Sequence, residues 1–429
     1  MTPAARVKAS LDILEKISQS RIPMDGVTGD YMRFRRYIGA KDRAAIAERT
    51  YCLIRAYARL GWWLARCNRE DTPRNRMILW ISLGEQKNPA FFFDDSKYSD
   101  APLTDEESKW ADSLKDKPLG HPDMPPAVRV ECPPQYEASL QAYFGDLFEQ
   151  EMTALIDGAT LDMRVNTGRA PLDKVRESLK KDGVPTGLTP YSPVGLRARG
   201  KAYLAKTKAF AKGWIDIQDE GSQLIALACD AKPGMQLLDY CAGAGGKTLA
   251  LADAMALKGR IVAMDLDAKR LAKARERFRR AGVHDMIEIR PLEDHKKWLR
   301  RQKGTFDIVL ADVPCTGTGT WRRNPDMRWR TYGPGLDELI AIQADILDRT
   351  VKAVKPGGRL VYATCSLLPE ENEHQIEAFL TRHPDFERAP LPDAIPSDKN
   401  GYMRLTPHRH GTDGFFAAAL QKKATPTEE

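Results

Sequence analysis

A chain of 429 residues exceeds what one ordinary hydrophobic core supports, so two or three domains are expected. Its 42% hydrophobic residues exclude a disordered chain, and no stretch approaches the roughly 18 to 20 apolar residues of a membrane helix. Sixty-six lysines and arginines against 59 acids leave a net charge of +7, which favours an anionic partner.

The N-terminus runs from Met1-Thr-Pro straight into an amphipathic pattern, which is not the apolar core of a signal peptide. Thr2 can cap a helix with Pro3 at its first position, carrying Val7, Leu11, Leu14 and Ile17 on one face. Asp42 can open another, with the stripe Ile46, Leu53, Tyr57, Leu60 and Leu64. Between them lies the basic-aromatic run Arg33-Phe-Arg-Arg-Tyr37, followed by Lys41 and Arg43. Two readings stay open for it: a solvated helix end with its aromatics tucked into a small bundle, or a nucleic-acid surface. Residues 94–134 are charged and Pro-rich and read as a partly helical connection ending in a linker. A helical stretch near Tyr136–Asp157, a strand-like Leu161–Val165 and a helix around Leu172–Leu179 then suggest a small α+β unit. The expected divisions are 1–125 helical with its linker, 126–212 small α+β, and 213–423 a larger α/β domain.

From Asp216 short apolar runs alternate with longer helical ones. Leu237–Tyr240, Arg260–Met264, Phe306–Ala311 and Arg359–Ala363 read as strands. Thr248–Met255, Ala268–Ala281 and Leu336–Val354 read as helices. That alternation implies a parallel, doubly wound sheet, which binds ligands beyond the carboxyl ends of its strands. Four motifs fall at those ends. The first is Cys241-Ala242-Gly243-Ala244-Gly245-Gly246-Lys247-Thr248, a turn that lets backbone approach a ligand at a helix start. A phosphate-binding P-loop fails because Cys241 stands where Gly is required, and a dinucleotide fingerprint lacks its third glycine at Thr248. An S-adenosylmethionine site uses a similar turn. The second is Asp265, placed to hold ribose hydroxyls or to cap the next helix, a duty Asp267 could take instead. The third is Asp312-Val-Pro-Cys315-Thr-Gly-Thr-Gly319, and the fourth Ala363-Thr-Cys365-Ser366.

The seven cysteines (Cys52, Cys67, Cys132, Cys229, Cys241, Cys315, Cys365) form no Cys-x-x-Cys pair, which disfavours a disulfide framework and a zinc ribbon. A reduced, cytoplasmic chain with no metal and no membrane association is expected. Cys52, Cys67, Cys132 and Cys229 read as small hydrophobes. Cys315 and Cys365 lie in polar turns whose backbone N–H groups favour thiolate. Two thiols and a sugar-bearing cofactor suit one chemistry. A thiolate adds to carbon 6 of a pyrimidine, so that carbon 5 can attack an activated methyl group, and a base then removes the carbon 5 proton. A carboxyl group on the ring's polar edge would stabilise the developing charge.

In order and spacing these motifs resemble those of the RsmB-like (Fmu/Sun) RNA cytosine-carbon-5 methyltransferases, and the resemblance covers most of the chain. The first segment is similar to their NusB-like RNA-binding domain, notably at Tyr37-Ile-Gly-Ala-Lys-Asp-Arg43. Further marks are Gln218–Gln223, Arg322–Trp329, Pro369-Glu-Glu-Asn372 and Asp413-Gly-Phe-Phe416. The resemblance implies a Rossmann-like methyltransferase domain, preceded by a small α+β subdomain and an all-α NusB-like domain. It implies Cys365 as the nucleophile, Cys315 as the group assisting product release, and Asp312 at the cytosine edge or the methionine end of S-adenosylmethionine. Cys241 to Lys247 would cradle the methionine moiety and Asp265 the ribose. It also implies RNA as the partner, ribosomal more than transfer RNA, and a monomer is expected.

Gly243 and Ala244 replace the Ala-Pro common in the family's first motif, which loosens the turn. For the acid near the adenine the candidates are Glu293 and Asp294. Thirteen lysines or arginines against 5 acids in residues 269–303 supply +8, so the rest of the chain is nearly balanced. Arg322, Arg323, Arg328 and Arg330, interleaved with Trp321 and Trp329, are expected to meet a splayed single-stranded RNA. Rival readings are a non-catalytic assembly factor with the same fold and a dinucleotide-dependent redox enzyme using the cysteine pair.

Overall fold

The structure, a computed structural model, describes residues 1–292 and 295–424. No helix among them is long and apolar enough to cross a membrane. The chain forms two compact units that are not contiguous in sequence: Met1–Asp157 with Trp321–Gly333, and Gly158–Thr320 with Pro334 onward. Residues 126–157, expected with the small α+β unit, belong to the helical one.

In the helical unit the first helix, Pro3–Gln19, has the expected Thr2 cap on the Ala5 N–H and buries Val7, Leu11, Leu14 and Ile17. The second expected stripe is divided between helices Ala40–Arg55 and Tyr57–Arg66. Asp42 does not cap the first of these; it sits at the third position of its first turn and binds the Met1 amine (3.1 Å) and Arg6 Nε (2.8 Å). The break at Ala56 is held by the buried carboxylate of Glu131, which accepts the Ala58 N–H (2.7 Å), the Arg59 N–H (3.2 Å) and Arg59 Nε (2.8 Å). The expected linker is instead a wall of this core. Helix Asp105–Ser113 carries a Thr104/Glu107 capping box, and Trp110, Leu114 and Met124 pack with Leu53, Trp63 and Met77. Phe34 and Tyr37 are exposed, so the aromatics of the basic run are not tucked into the bundle.

Residues 321–333 overturn one expectation. They are not a free RNA-stacking strip but the interior of the helical unit. Trp321 and Arg328 are fully buried, Arg322 is buried, and Trp329 packs against Tyr57 with ring centres 5.2 Å apart. Asp326 accepts the Met24 N–H (2.8 Å), and Arg330 donates to the carbonyls of Ile17 and Ser20. Burial pushes Arg328 down to about 10. A charged, aromatic-rich segment has the same composition whether it faces solvent or a polar interior, which is why composition misled.

The second unit holds two sheets. Strands β1 (Asp162–Val165), β2 (Thr186–Leu188), β3 (Gly195–Ala198) and β4 (Ile215–Ile217) form an antiparallel sheet in the order β2-β3-β1-β4. Val175 and Leu179 of helix Leu172–Lys181 cover one of its faces, together with Met163, Val165 and Ile215. The larger sheet contains β5 (Gln236–Asp239), β6 (Arg260–Asp265), β7 (Ile287–Pro291), β8 (Phe306–Asp312), β9 (Val354–Thr364), β10 (Phe386–Arg388), β11 (Met403–Leu405) and β12 (Phe415–Lys422). Its order is β10-β12-β9-β8-β5-β6-β7, with β11 off the path on β12. β7, β6, β5, β8 and β9 run parallel, as expected, while β12 pairs antiparallel with β9 and makes the sheet mixed. Helices Gly246–Ala254 and Ala268–Ala281 pack on one face, and Leu336–Thr350 and Glu373–Arg382 on the other. The order reverses between β5 and β8, so the carboxyl ends of these two strands open on the crevice such sheets use for ligands.

Candidate active site

Each predicted site residue lies at a carboxyl end of β5, β6, β8 or β9. After β5 the chain turns through Cys241–Gly245, where Ala242 N–H bonds to the Met264 carbonyl and Gly245 N–H to the Ala242 carbonyl, both at 2.8 Å. Gly243 (φ 56°) and Gly245 (φ 77°) take left-handed conformations, and a Cβ on Gly245 would stand 2.5 Å from Phe278. Helix Gly246–Ala254 follows directly, its first N–H groups facing the turn. Arg277, from the neighbouring helix, donates to the Ala244 carbonyl (2.6 Å), and its other edge pairs with the buried Asp216 on β4. Nothing local marked Arg277 among the many basic residues of its helix.

Asp265 ends β6 and receives the Gly243 N–H through Oδ2 and the Asp267 N–H through Oδ1, both at 2.8 Å. It therefore braces the glycine turn, while Asp267 caps the helix by accepting the Lys269 and Arg270 N–H groups. Lys247 Nζ pairs with Asp312 Oδ2 at 2.7 Å. Burial alone would lower the Lys247 pKa, but the charges of Asp312 and Cys365 more than offset it, and the net shift is upward. Lys247 is thus a retained ammonium within electrostatic reach of both. Burial pushes Cys241 well up, so its sulfur stays a neutral thiol. The adenine-side candidates Glu293 and Asp294 lie outside the described residues.

Cys315 Sγ and Cys365 Sγ are 3.4 Å apart, a thiol–thiol hydrogen bond and not a disulfide. That hydrogen bond, burial and the charge of Glu371 all push Cys315 upward, making it the thiol of the pair. The ammonium of Lys247 lies within electrostatic reach of Cys365. Cys52, Cys67, Cys132 and Cys229 lie elsewhere; burial pushes Cys132 up to about 12, as suits an inert thiol.

The two cysteine loops are tied together by residues whose role the sequence did not disclose. Glu371, fully buried, accepts the Thr316 N–H (2.9 Å), the Thr316 hydroxyl (2.5 Å) and the Gln343 amide (2.9 Å), while Gln343 also reaches the Pro314 carbonyl (3.0 Å). Asn372 accepts the Thr364 hydroxyl (2.6 Å) and donates to the Ser366 carbonyl (3.0 Å). Gly319 donates to the Cys365 carbonyl (2.9 Å) and accepts from Gly414 (2.8 Å), an approach so close that a Cβ on Gly319 would stand 2.2 Å from the Gly414 carbonyl. The marks Pro369–Asn372 and Asp413–Phe416 thereby acquire a physical purpose: they fix the geometry of the thiol pair.

Asp239, at the end of β5, is fully buried; Oδ2 receives the Thr248 hydroxyl (2.6 Å) and Oδ1 has no hydrogen-bond partner among the described residues. Burial pushes it up to about 7. The folded state therefore holds this proton where the unfolded chain has lost it, and stability falls as pH rises from about 4 to about 7. Asp239→Asn removes the charge. In denaturant unfolding the variant is expected to match or fall below the unmodified protein at pH 5 and to gain on it by a few kcal/mol at pH 8. A pH-independent difference would show that this carboxylate is ionised throughout.

Residues 226–421 match the family described as 16S rRNA methyltransferase RsmB/F. Ribosomal RNA small subunit methyltransferase B of Salmonella newport is 36% identical over 261 residues, 61% of this chain and 59% of that protein. The Photorhabdus laumondii protein of the same name is 34% identical over the same shares. The aligned stretch spans about three fifths of the length of these curated relatives. The crystal structure of a protein designated PH0851 superposes with a TM-score of 0.79 at 26% identity, covering 98% of this chain and 99% of its own. A methyltransferase homologue from Pyrococcus horikoshii gives 0.59 at 29% identity, covering 69% and 97%. With a mixed Rossmann-like sheet and a paired-thiol site at its strand ends, residues 226–421 of this chain are similar to the RsmB/F methyltransferases.

Proposed function

We propose that the protein is an S-adenosylmethionine-dependent RNA methyltransferase that forms 5-methylcytosine, with ribosomal rather than transfer RNA as substrate. The observation that carries this reading is the Cys315–Cys365 pair, 3.4 Å apart beside the Lys247–Asp312 ion pair. The names of the curated relatives favour ribosomal RNA. The cofactor suits the turn after β5: Gly243 and Gly245 take left-handed conformations that expose backbone N–H groups at a helix start, and the buried Asp239 Oδ1 at the end of β5 has no hydrogen-bond partner among the described residues. Cys241 to Lys247 would hold its methionine end and Asp265 its ribose. When bound, it supplies an electrophilic methyl group.

The chain's own residues do the rest. Cys365 sulfur adds to carbon 6 of cytosine, and the electron pair of the 5,6 double bond moves to carbon 5 and makes it nucleophilic. Asp312, held by Lys247, would contact the cytosine edge as it gains charge, or the methionine end of the cofactor. Solvent water takes the carbon 5 proton, and the electron pair of that C–H bond re-forms the 5,6 double bond. The carbon 6–sulfur bond breaks to release Cys365 as thiolate, which accepts a hydrogen bond from the Cys315 thiol. Cys315, within hydrogen-bond reach of that sulfur, assists the release.

The test incubates the protein with methyl-tritiated S-adenosylmethionine and small-subunit ribosomal RNA or transfer RNA, then digests the RNA to nucleosides. Label is expected in 5-methylcytidine from the ribosomal RNA. Label in transfer RNA alone corrects the substrate, and label in another nucleoside or in none overturns the chemistry.

The turn also makes a prediction. Without the family's proline, Arg277 is the side chain that anchors its Ala244 carbonyl. Arg277→Met is expected to weaken cofactor binding about tenfold, the worth of one charge-assisted hydrogen bond. Ala244→Pro in that background is expected to restore most of it by fixing the backbone beforehand. Calorimetric titration measures both, and equal affinity in all three proteins would show that the turn needs no anchor.

A further inference from the structure

The longest acid-free stretch that the mechanism does not use lies on the small sheet. Residues 183–215 contain Arg197, Arg199, Lys201, Lys206, Lys208 and Lys212 and no aspartate or glutamate. Arg197 is spent on Asp162 inside the unit, but Arg199, Lys206, Lys208 and Lys212 are exposed and form no ion pair among the described residues. Aromatic rings stand among them. Tyr203 is 68% exposed, with Lys206 Nζ 5.6 Å from its ring centre. Trp214 is approached by two ammonium groups, Lys174 at 5.1 Å and Lys212 at 5.0 Å, and neither has a carboxylate partner among the described residues. Two like charges converging on one indole repel each other unless an anion joins them.

This edge continues to the active site. Arg280 lies over the Phe210 ring at 4.1 Å, and it belongs to helix Ala268–Ala281, whose other end carries the Arg270 guanidinium against Gly243 of the cofactor turn. Along the roughly 20 Å of that helix Lys269, Arg270, Lys273, Arg275 and Arg279 are exposed, with Glu276 the one intervening acid. A largely cationic path with interleaved rings, offset only by Glu276 and by the Arg280–Asp216 ion pair (3.0 Å), leads toward the crevice where a base must be presented and fits a polyanion with flat faces.

We infer that the Arg199–Trp214 edge of the small sheet is an RNA-docking surface, which holds the sugar–phosphate backbone beside the target base and stacks unpaired bases on Tyr203 and Trp214. The inference rests on the RNA reading above and adds where the RNA lies. It is tested with Lys206, Lys208 and Lys212 changed together to glutamine. The control triple, Lys232, Lys303 and Lys352 to glutamine, lies before the amino ends of β5, β8 and β9, and all three are exposed. The probe is a small-subunit ribosomal RNA transcript, titrated at several salt concentrations.

The first triple is expected to lose tenfold or more in affinity near 0.15 M salt, with the logarithmic salt slope shallower by about 2, as three lost phosphate contacts require. Its cofactor affinity and thermal midpoint should match those of the unmodified protein, and the control triple should bind RNA within about twofold of it. Tyr203→Ala should weaken binding of a single-stranded oligoribonucleotide severalfold without changing the slope, since stacking releases no counterions. Unchanged RNA binding in the first triple, or an equal loss in the control, overturns the surface while leaving the function standing. So does a defect confined to phosphatidylserine vesicles. Failure of the unmodified protein to bind or methylate RNA overturns the function itself and the surface with it.

Discussion

Cys365→Ala is expected to reduce methyl transfer by on the order of a thousandfold or more, because it removes the sulfur whose addition to carbon 6 raises the electron density at carbon 5. Cys315→Ala is expected to behave differently. Addition to carbon 6 still occurs and release fails, so protein and RNA accumulate as a covalent adduct that migrates as a shifted band on a denaturing gel. The geometry assigns the direction of this asymmetry. Cys315 is held protonated by its hydrogen bond to Cys365, by burial and by Glu371, and the Lys247 ammonium lies within electrostatic reach of Cys365. A thiol so held cannot open the reaction, yet it is well placed to complete it. Full activity in Cys365→Ala would sink the assignment, and an adduct formed by Cys365→Ala in place of Cys315→Ala would reverse it.

The parts of this site legible in the sequence were those whose chemistry is written in residue type and local context. A Gly-rich turn between a strand and a helix, acids at strand ends and two cysteines in polar turns name themselves, and Cys241–Lys247, Asp265, Asp312, Cys315 and Cys365 do assemble at neighbouring strand ends. The supporting groups were not legible, because their meaning is tertiary. Gln343 lies in the middle of a helix, 28 residues from Glu371, and only folding brings its amide to 2.9 Å. Strand β12 was missed because Phe415-Phe-Ala-Ala-Ala-Leu420 has the composition of a buried helix and lies in the sheet between two other strands. Strands β2 and β4 are three residues each, too short for any alternation to register. The helical unit's interior Arg322 and Arg328 were read as solvent-facing because guanidinium groups are seldom buried, and that rule fails where the chain returns to line another core.

Glu371 joins these two themes, since a residue noted only as a family mark turns out to control the thiol pair. Its carboxylate clamps both the backbone and the hydroxyl of Thr316, the residue after Cys315, and its charge helps to keep Cys315 protonated. These are separable effects. Glu371→Ala removes the clamp and costs the Thr316 N–H and one amide hydrogen of the buried Gln343 their acceptor, about 1–3 kcal/mol in stability. Gln343 keeps the Pro314 carbonyl and the Thr316 hydroxyl keeps Ser366. The loop then drifts, and turnover is expected to fall about a hundredfold with adduct accumulating as in Cys315→Ala, while the cofactor dissociation constant is unchanged. Glu371→Gln keeps the volume and part of the hydrogen bonding but deletes the charge. Cys315 then ionises at lower pH, and since release calls on its proton, the alkaline limb of the kcat profile is expected to move to lower pH. Cys365 addition, measured as adduct formation in a Cys315→Ala background, should keep its own pH dependence. A merely structural glutamate would lower stability in both variants and leave every pH profile in place, and that result would return Glu371 to the scaffold.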